Sequence, residues 1–111
     1  MFDLAPLGPL TGGDPQLMRN LLEELRSTNR RDLVRLDELQ EGNDRGALSE
    51  LSHRLKGAGR VIRASGLIAA CEQLEELCRT TEPVDTGVEA VRQAIHELEG
   101  ALADYLEPAA Q

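Results

Sequence analysis

Tryptophan is absent from this chain, and phenylalanine and tyrosine occur once each. A core must therefore be filled by Leu, Ile, Val and Ala, which suits helix-on-helix packing better than a sheet. Period-two alternation is scarce as well, so no strand is expected. No apolar run approaches the length of a membrane span, and the first residues carry no signal-peptide pattern. Cations are in deficit: 12 Lys and Arg stand against 20 Asp and Glu, for a net charge of −8. That balance argues against nucleic acid and against an anionic membrane as partners, because both call for a basic surface. The only cysteines, Cys71 and Cys78, lie in one expected helix, where seven residues of separation put their Cα atoms roughly 10 Å apart, too far for a disulfide. No second ligand pair lies nearby to make a metal site. Both read as small core residues of a reduced, cytoplasmic chain.

What is present is helical periodicity. The 111 residues suffice for one domain with one core. Residues 1–13, punctuated by Pro and Gly, read as an extended or short helical lead-in whose Phe2, Leu4, Leu7 and Leu10 cover one end of the domain. Asp14-Pro15 is a helix start, a capping acid followed by proline at the first helical position. From it Leu17, Met18, Leu21, Leu22, Leu25, Leu33, Leu36 and Leu39 cluster on one side of a helix over about 15 to 41, ended by Gly42. Asn29 and Asp32 interrupt that stripe, and Val34 is apolar on the polar side. Asn43 or Asp44 caps a second helix, about 44 to 63, and Ser65-Gly66 offers a turn and a new cap. The third helix, about 66 to 80, turns Leu67, Ala70, Cys71, Leu74, Leu77 and Cys78 inward, with Glu75 and Arg79 as an i, i+4 pair. Thr86-Gly87-Val88-Glu89 is a capping box for the last helix, about 87 to 106, with Val88, Val91, Ile95, Leu98, Leu102 and Tyr105 facing in and Pro108 closing it. The expected fold is all-α, an antiparallel up-down-up-down four-helix bundle over 14–107 with a tail at 108–111.

The second helix carries the chemistry. Leu48, Leu51, Leu55, Ala58 and Ile62 form its inner seam. His53 falls almost opposite, with Lys56, Gly57 and Arg60 on its side. Glycine inside a helix costs about 0.5–1 kcal/mol relative to alanine, so stability alone does not select Gly57. A neutral imidazole is a nucleophile near pH 7. To accept a phosphoryl group it must be open on one side, and Gly57 at i+4 leaves that side clear. Lys56 and Arg60 lie where a cation lowers the cost of holding the incoming anion. Ser49 lies one turn before His53, but the histidine has no acid partner and no second histidine on its face, which argues against acyl transfer and metal binding. Counting back from the joins sets His53 level with about Asp32 of the first helix and Glu76 of the third. The polar gap at Asn29 and Asp32 then either holds water or an anion beside the histidine or lies at the stripe edge in solvent; the second is the plainer expectation. His96, without such companions, reads as structural or solvated, and Glu23-Glu24 and Glu75-Glu76 as ordinary polar faces.

His53-Arg54-Leu55-Lys56-Gly57-Ala58-Gly59, followed by Leu67-x-x-x-Cys71-x-x-Leu74-Glu75, resembles the histidine phosphotransfer (HPt) domain of bacterial phosphorelays. Thr11-Gly12-Gly13-Asp14 and Asn29-x-x-Asp32-Leu33 look like those of the HPt domains attached to hybrid, virulence-type sensor kinases. The resemblance covers about residues 10 to 106. It implies that His53 takes a phosphoryl group from a receiver-domain aspartate and passes it to another. Lys56 would then be the phosphate-facing cation, Gly57 the clearance residue, and Arg60 a phosphate or partner contact. It implies no enzyme activity of its own, no cofactor of its own, Mg²⁺ held by the receiver partner, and receiver (response regulator) domains as partners. A monomer is expected, tethered to the inner membrane if the chain belongs to a parent sensor kinase. One departure is Arg63, where the family often has glycine. The rival reading is a helical interaction module that binds or sequesters a receiver or other signalling protein without phosphotransfer. A kinase dimerisation domain is disfavoured by four helices and no Gly-rich nucleotide motif.

Overall fold

Asp14 and Pro15 open the longest element as the sequence predicts. The Asp14 carboxylate accepts from the backbone N–H groups of Gln16 and Leu17, at 2.8 and 3.4 Å, and Pro15 sits in the first turn. The structure, a computed structural model, describes residues 3–107, and every regular element among them is helical. A 3-10 turn at Ala5–Leu7 leads into α1 (Gly8–Thr11), α2 (Pro15–Glu41), α3 (Arg45–Val61), α4 (Ser65–Cys78) and α5 (Asp85–Leu106). The expected lead-in is thus mostly helical; Leu7 is buried and Leu4 packs on the core, but Leu10 is 71% exposed. Phe2, Pro108 and the 108–111 tail lie outside the described residues.

Two start signals resolve differently from expectation. Asp44 caps α3, accepting from the Ala47 N–H at 3.0 Å. Thr86 caps nothing, because α5 begins two residues earlier than expected, at Asp85: Val84 is buried and its carbonyl already accepts from Val88. Burying a valine side chain outweighs a surface capping box of about 1 kcal/mol. Likewise α4 starts at Ser65 with Ala64, not a side-chain cap, before it. At its far end Arg45 donates to the Leu77 carbonyl at 2.9 Å, satisfying an orphan of the α4 C-terminus.

Helix α3 packs on α4, α4 on α5, α5 on α2, and α2 on α3, so the four long helices close around one core. Leu22, Leu36, Leu48, Leu74, Ile95 and Leu102 are its largest wholly enclosed side chains, each worth about 1.5–3 kcal/mol of burial. The α2 stripe is buried only from Leu22 onward; Leu17 and Leu21 are exposed. On α3 it is Gly59, not Ala58, that turns inward, because α4 comes so near that a Cβ there would sit 3.3 Å from Ile68. On α5 the last inward residue is Leu106, and Tyr105 is half in solvent; an undistorted helix drifts against a strict heptad, so the seam steps forward by one residue. Cys71 is buried and Cys78 half-buried, and both are free thiols. Burial pushes the Cys71 thiol up to about 12.

The α3–α4 join is built by Arg63 in the left-handed region, φ +54°. That backbone explains why glycine suits this position, since a side chain there costs about 1–2 kcal/mol. The Arg63 guanidinium pairs with Asp3 at 2.9 Å, tying the lead-in across the join. A second glycine has a packing role. At Gly87 a Cβ would meet Leu77 at 2.7 Å and the Leu74 Cα at 3.2 Å. Gly87→Ala is therefore expected to destabilise the fold by about 1–2 kcal/mol despite the better helix former, because overpacking costs typically 1–3 kcal/mol. A urea melt checks this, and a gain in stability would show that α4 and α5 do not meet there.

Candidate functional site

Helix α3 presents His53 outward because Leu48, Leu51 and Leu55 hold its opposite side in the core. The His53 side chain is 73% exposed. What the periodicity did not reveal is the acid behind it. Glu75 of α4, read from sequence as a polar surface residue paired with Arg79, is buried. Its Oε2 lies 3.6 Å from His53 Nδ1, and its Oε1 lies 2.7 Å from Lys56 Nζ. Arg79 pairs instead with Glu76, at 2.9 Å. The expectation of a histidine with no acid partner is therefore corrected.

The three groups form one electrostatic unit. The Lys56 ammonium beside Oε1 holds the Glu75 carboxyl below its ordinary value, His53 adds in the same direction, and burial opposes both. The contact at 3.6 Å is too long for a formed hydrogen bond, yet close enough for the carboxylate to favour a proton on Nδ1. The lone pair is then on Nε2, the nitrogen away from Glu75. Lys56 itself is only 13% exposed; its charge is compensated by Glu75 rather than displayed to solvent. Gly57 is exposed, and a Cβ on it would touch no heavy atom within 4 Å. Arg60 is exposed on the same helix, and His96 is exposed on α5, away from these companions.

On the other flank Arg54 reaches α2. Its guanidinium meets Asp32 Oδ1 at 2.7 Å. Asp32 and Asn29 are both buried, which overturns the plainer expectation that they reach solvent. Counting from the join sets Asp32 at the right height, and both residues lie in the α2 stripe that they interrupt; it is the solvent exposure that fails, because the phase they occupy faces inward. Arg31, Arg35 and Arg54 border an open groove between α2 and α3 together with Asp32, Glu38 and the exposed Val34, and Glu38 pairs with Arg35 at 3.6 Å. Among the described residues no cluster of His, Cys, Asp and Glu is arranged to hold a metal ion, and no helix is long and apolar enough to cross a membrane.

The family described as Hpt domain matches residues 20–107. Three curated relatives carry the name Virulence sensor protein BvgS. The one from Bordetella bronchiseptica is 39% identical over 75 residues, and those from Bordetella parapertussis and Bordetella pertussis are 40% identical over 75 residues. Each alignment covers 68% of this chain but 6% of the relative, so the chain spans a small part of the length of these proteins. No solved structure gives a significant match.

Proposed function

The chain belongs to the Hpt domain family, and we propose that it is a phosphorelay intermediate in which His53 accepts a phosphoryl group from a receiver-domain aspartyl phosphate and passes it to a second receiver aspartate. One observation carries this reading: an imidazole 73% exposed, with a buried carboxylate at its Nδ1 and an open glycine one turn above. The Nε2 lone pair attacks phosphorus in line, the P–O bond to the aspartyl carboxylate breaks, and the aspartate leaves as the anion. Nδ1 keeps its proton, and Glu75 offsets the positive charge that forms on the ring. Mg²⁺ would be supplied by the receiver; this chain contributes orientation and charge. For Lys56 to face the phosphate, its ammonium must move from Glu75 toward the new anion, a shift that the dianionic phosphoryl group favours. Arg60 is a further candidate for phosphate or partner contact.

The supporting frame is read as an antiparallel up-down-up-down four-helix bundle over residues 14–107. Contacts between the opposite ends of α2 and α5 favour it: Gln40 donates to Asp85 at 3.0 Å, and Arg19 to the Leu106 carbonyl at 2.8 Å. A module of this kind has no catalysis of its own and works in the cytoplasm, tethered where a parent sensor kinase carries it.

The test is incubation with a phosphorylated receiver domain. Label is expected to move to this chain as an acid-labile, base-stable phosphoramidate; binding without transfer would select the interaction-module reading instead. Gly57→Ala separates stability from function. The methyl group meets nothing within the chain, so stability should rise by about 0.5–1 kcal/mol, while transfer slows because the approach to His53 narrows. An unchanged transfer rate would remove the clearance role from Gly57.

A further inference from the structure

Asn29 and Asp32 sit one turn apart on α2, 3% and 4% exposed. Each carries a polar atom with no protein partner, the donor Nδ2 on Asn29 and the acceptor Oδ2 on Asp32. Buried polar groups are nearly always satisfied, so two on one helix face require an explanation. Both residues line a partly open cavity of about 30 Å³, whose other walls include the apolar Leu25, Leu55, Ile62 and Leu67 and the polar Thr28 and Arg54.

We propose that this cavity is a binding site for structural water. Water both accepts from Nδ2 and donates to Oδ2, and either orientation of the Asn29 amide leaves it a complementary group. The volume of about 30 Å³ exceeds the ~10–15 Å³ that one water needs and leaves room for no more than about two. Phosphate or a carboxylate is too large, and the Asp32 charge repels either. A cation is disfavoured by the amide donor and by a single carboxylate whose Oδ1 is already committed to Arg54 at 2.7 Å. Because Asp32 holds Arg54, the residue next to His53, the water anchors an exposed guanidinium from inside. Thus Asn29, the water and Asp32 link the core of α2 to the outer face of α3. This site stands independently of the phosphotransfer reading.

A crystal structure of the full chain at about 1.5 Å or better tests the proposal. A density peak within hydrogen-bond distance, about 2.6–3.2 Å, of both Asn29 and Asp32 Oδ2 is expected. A direct Asn29–Asp32 hydrogen bond with no density in the cavity would overturn it. Melting temperatures of Asn29→Leu, Asp32→Leu and the double variant give a second readout. Each single change strands the other polar atom, so the double variant should lose less than the sum of the two losses. Additive losses would count against a shared water.

Discussion

Replacing His53 with glutamine is expected to abolish phosphoryl acceptance and to leave the fold intact. Glutamine has similar length and can hydrogen-bond, but its amide nitrogen offers no nucleophilic lone pair. The His53 side chain is 73% exposed, so its loss removes little packing, and stability should change by no more than about 0.5 kcal/mol. Circular dichroism should give the same helical signal, and labelling from a phosphorylated receiver should fall to background. Label persisting on the glutamine variant would place the acceptor elsewhere, with the exposed His96 the next imidazole to examine.

The second large effect belongs to Glu75. Glu75→Ala leaves the Lys56 ammonium, 13% exposed, without its counter-charge. Severing a buried ion pair costs about 3–5 kcal/mol when the survivor cannot escape. Lys56 can swing toward water, so a loss of about 2–3 kcal/mol is expected. The pH dependence has a definite sign. The folded carboxyl lies below its ordinary value of 4.5, so its stabilising contribution is complete above that value and is lost as pH falls through the lowered one. The stability gap between the wild type and Glu75→Gln should therefore narrow on acidification below about pH 4.5. Urea melts across pH 3 to 7 measure it, and a gap independent of pH would show that Glu75 acts by packing alone. Transfer should also slow in Glu75→Gln, because a neutral amide favours the Nδ1 proton less than a carboxylate does and does not offset the charge that forms on the ring.

The helices were legible because their signals are local: Asp14-Pro15 starts α2, Gly42 follows its end, and the leucine spacing of α3 fixes which way His53 faces. Glu75 was missed because its partners, His53 and Lys56, come from another helix, and an i, i+4 pair with Arg79 was available to explain it. A signal did exist. Glu75 follows Cys71 by four and precedes Cys78 by three, so it occupies the inward phase of α4, where an acid needs a cation. Counting from the α3–α4 join had set Glu76 level with His53, one residue off. Asn29 and Asp32 failed for the same reason: polar residues in an apolar phase were assigned to the stripe edge, when helix α3 supplied Arg54 to meet one of them. Thr86 failed in the opposite direction, a sound local capping motif overridden by the burial of Val84. Arg63 shows how a sequence departure resolves: the join keeps its left-handed residue and accepts the strain of a side chain there.

The most direct measurement is NMR of the intact chain after transfer from a phosphorylated receiver. A single phosphoimidazole is expected, with phosphorus on Nε2 of His53, Nδ1 still protonated beside Glu75, and no such signal in His53→Gln. Phosphorus on Nδ1 of His53, or on any other residue, would contradict the arrangement in which Glu75 stands behind the ring and the phosphoryl group arrives from the open side at Gly57.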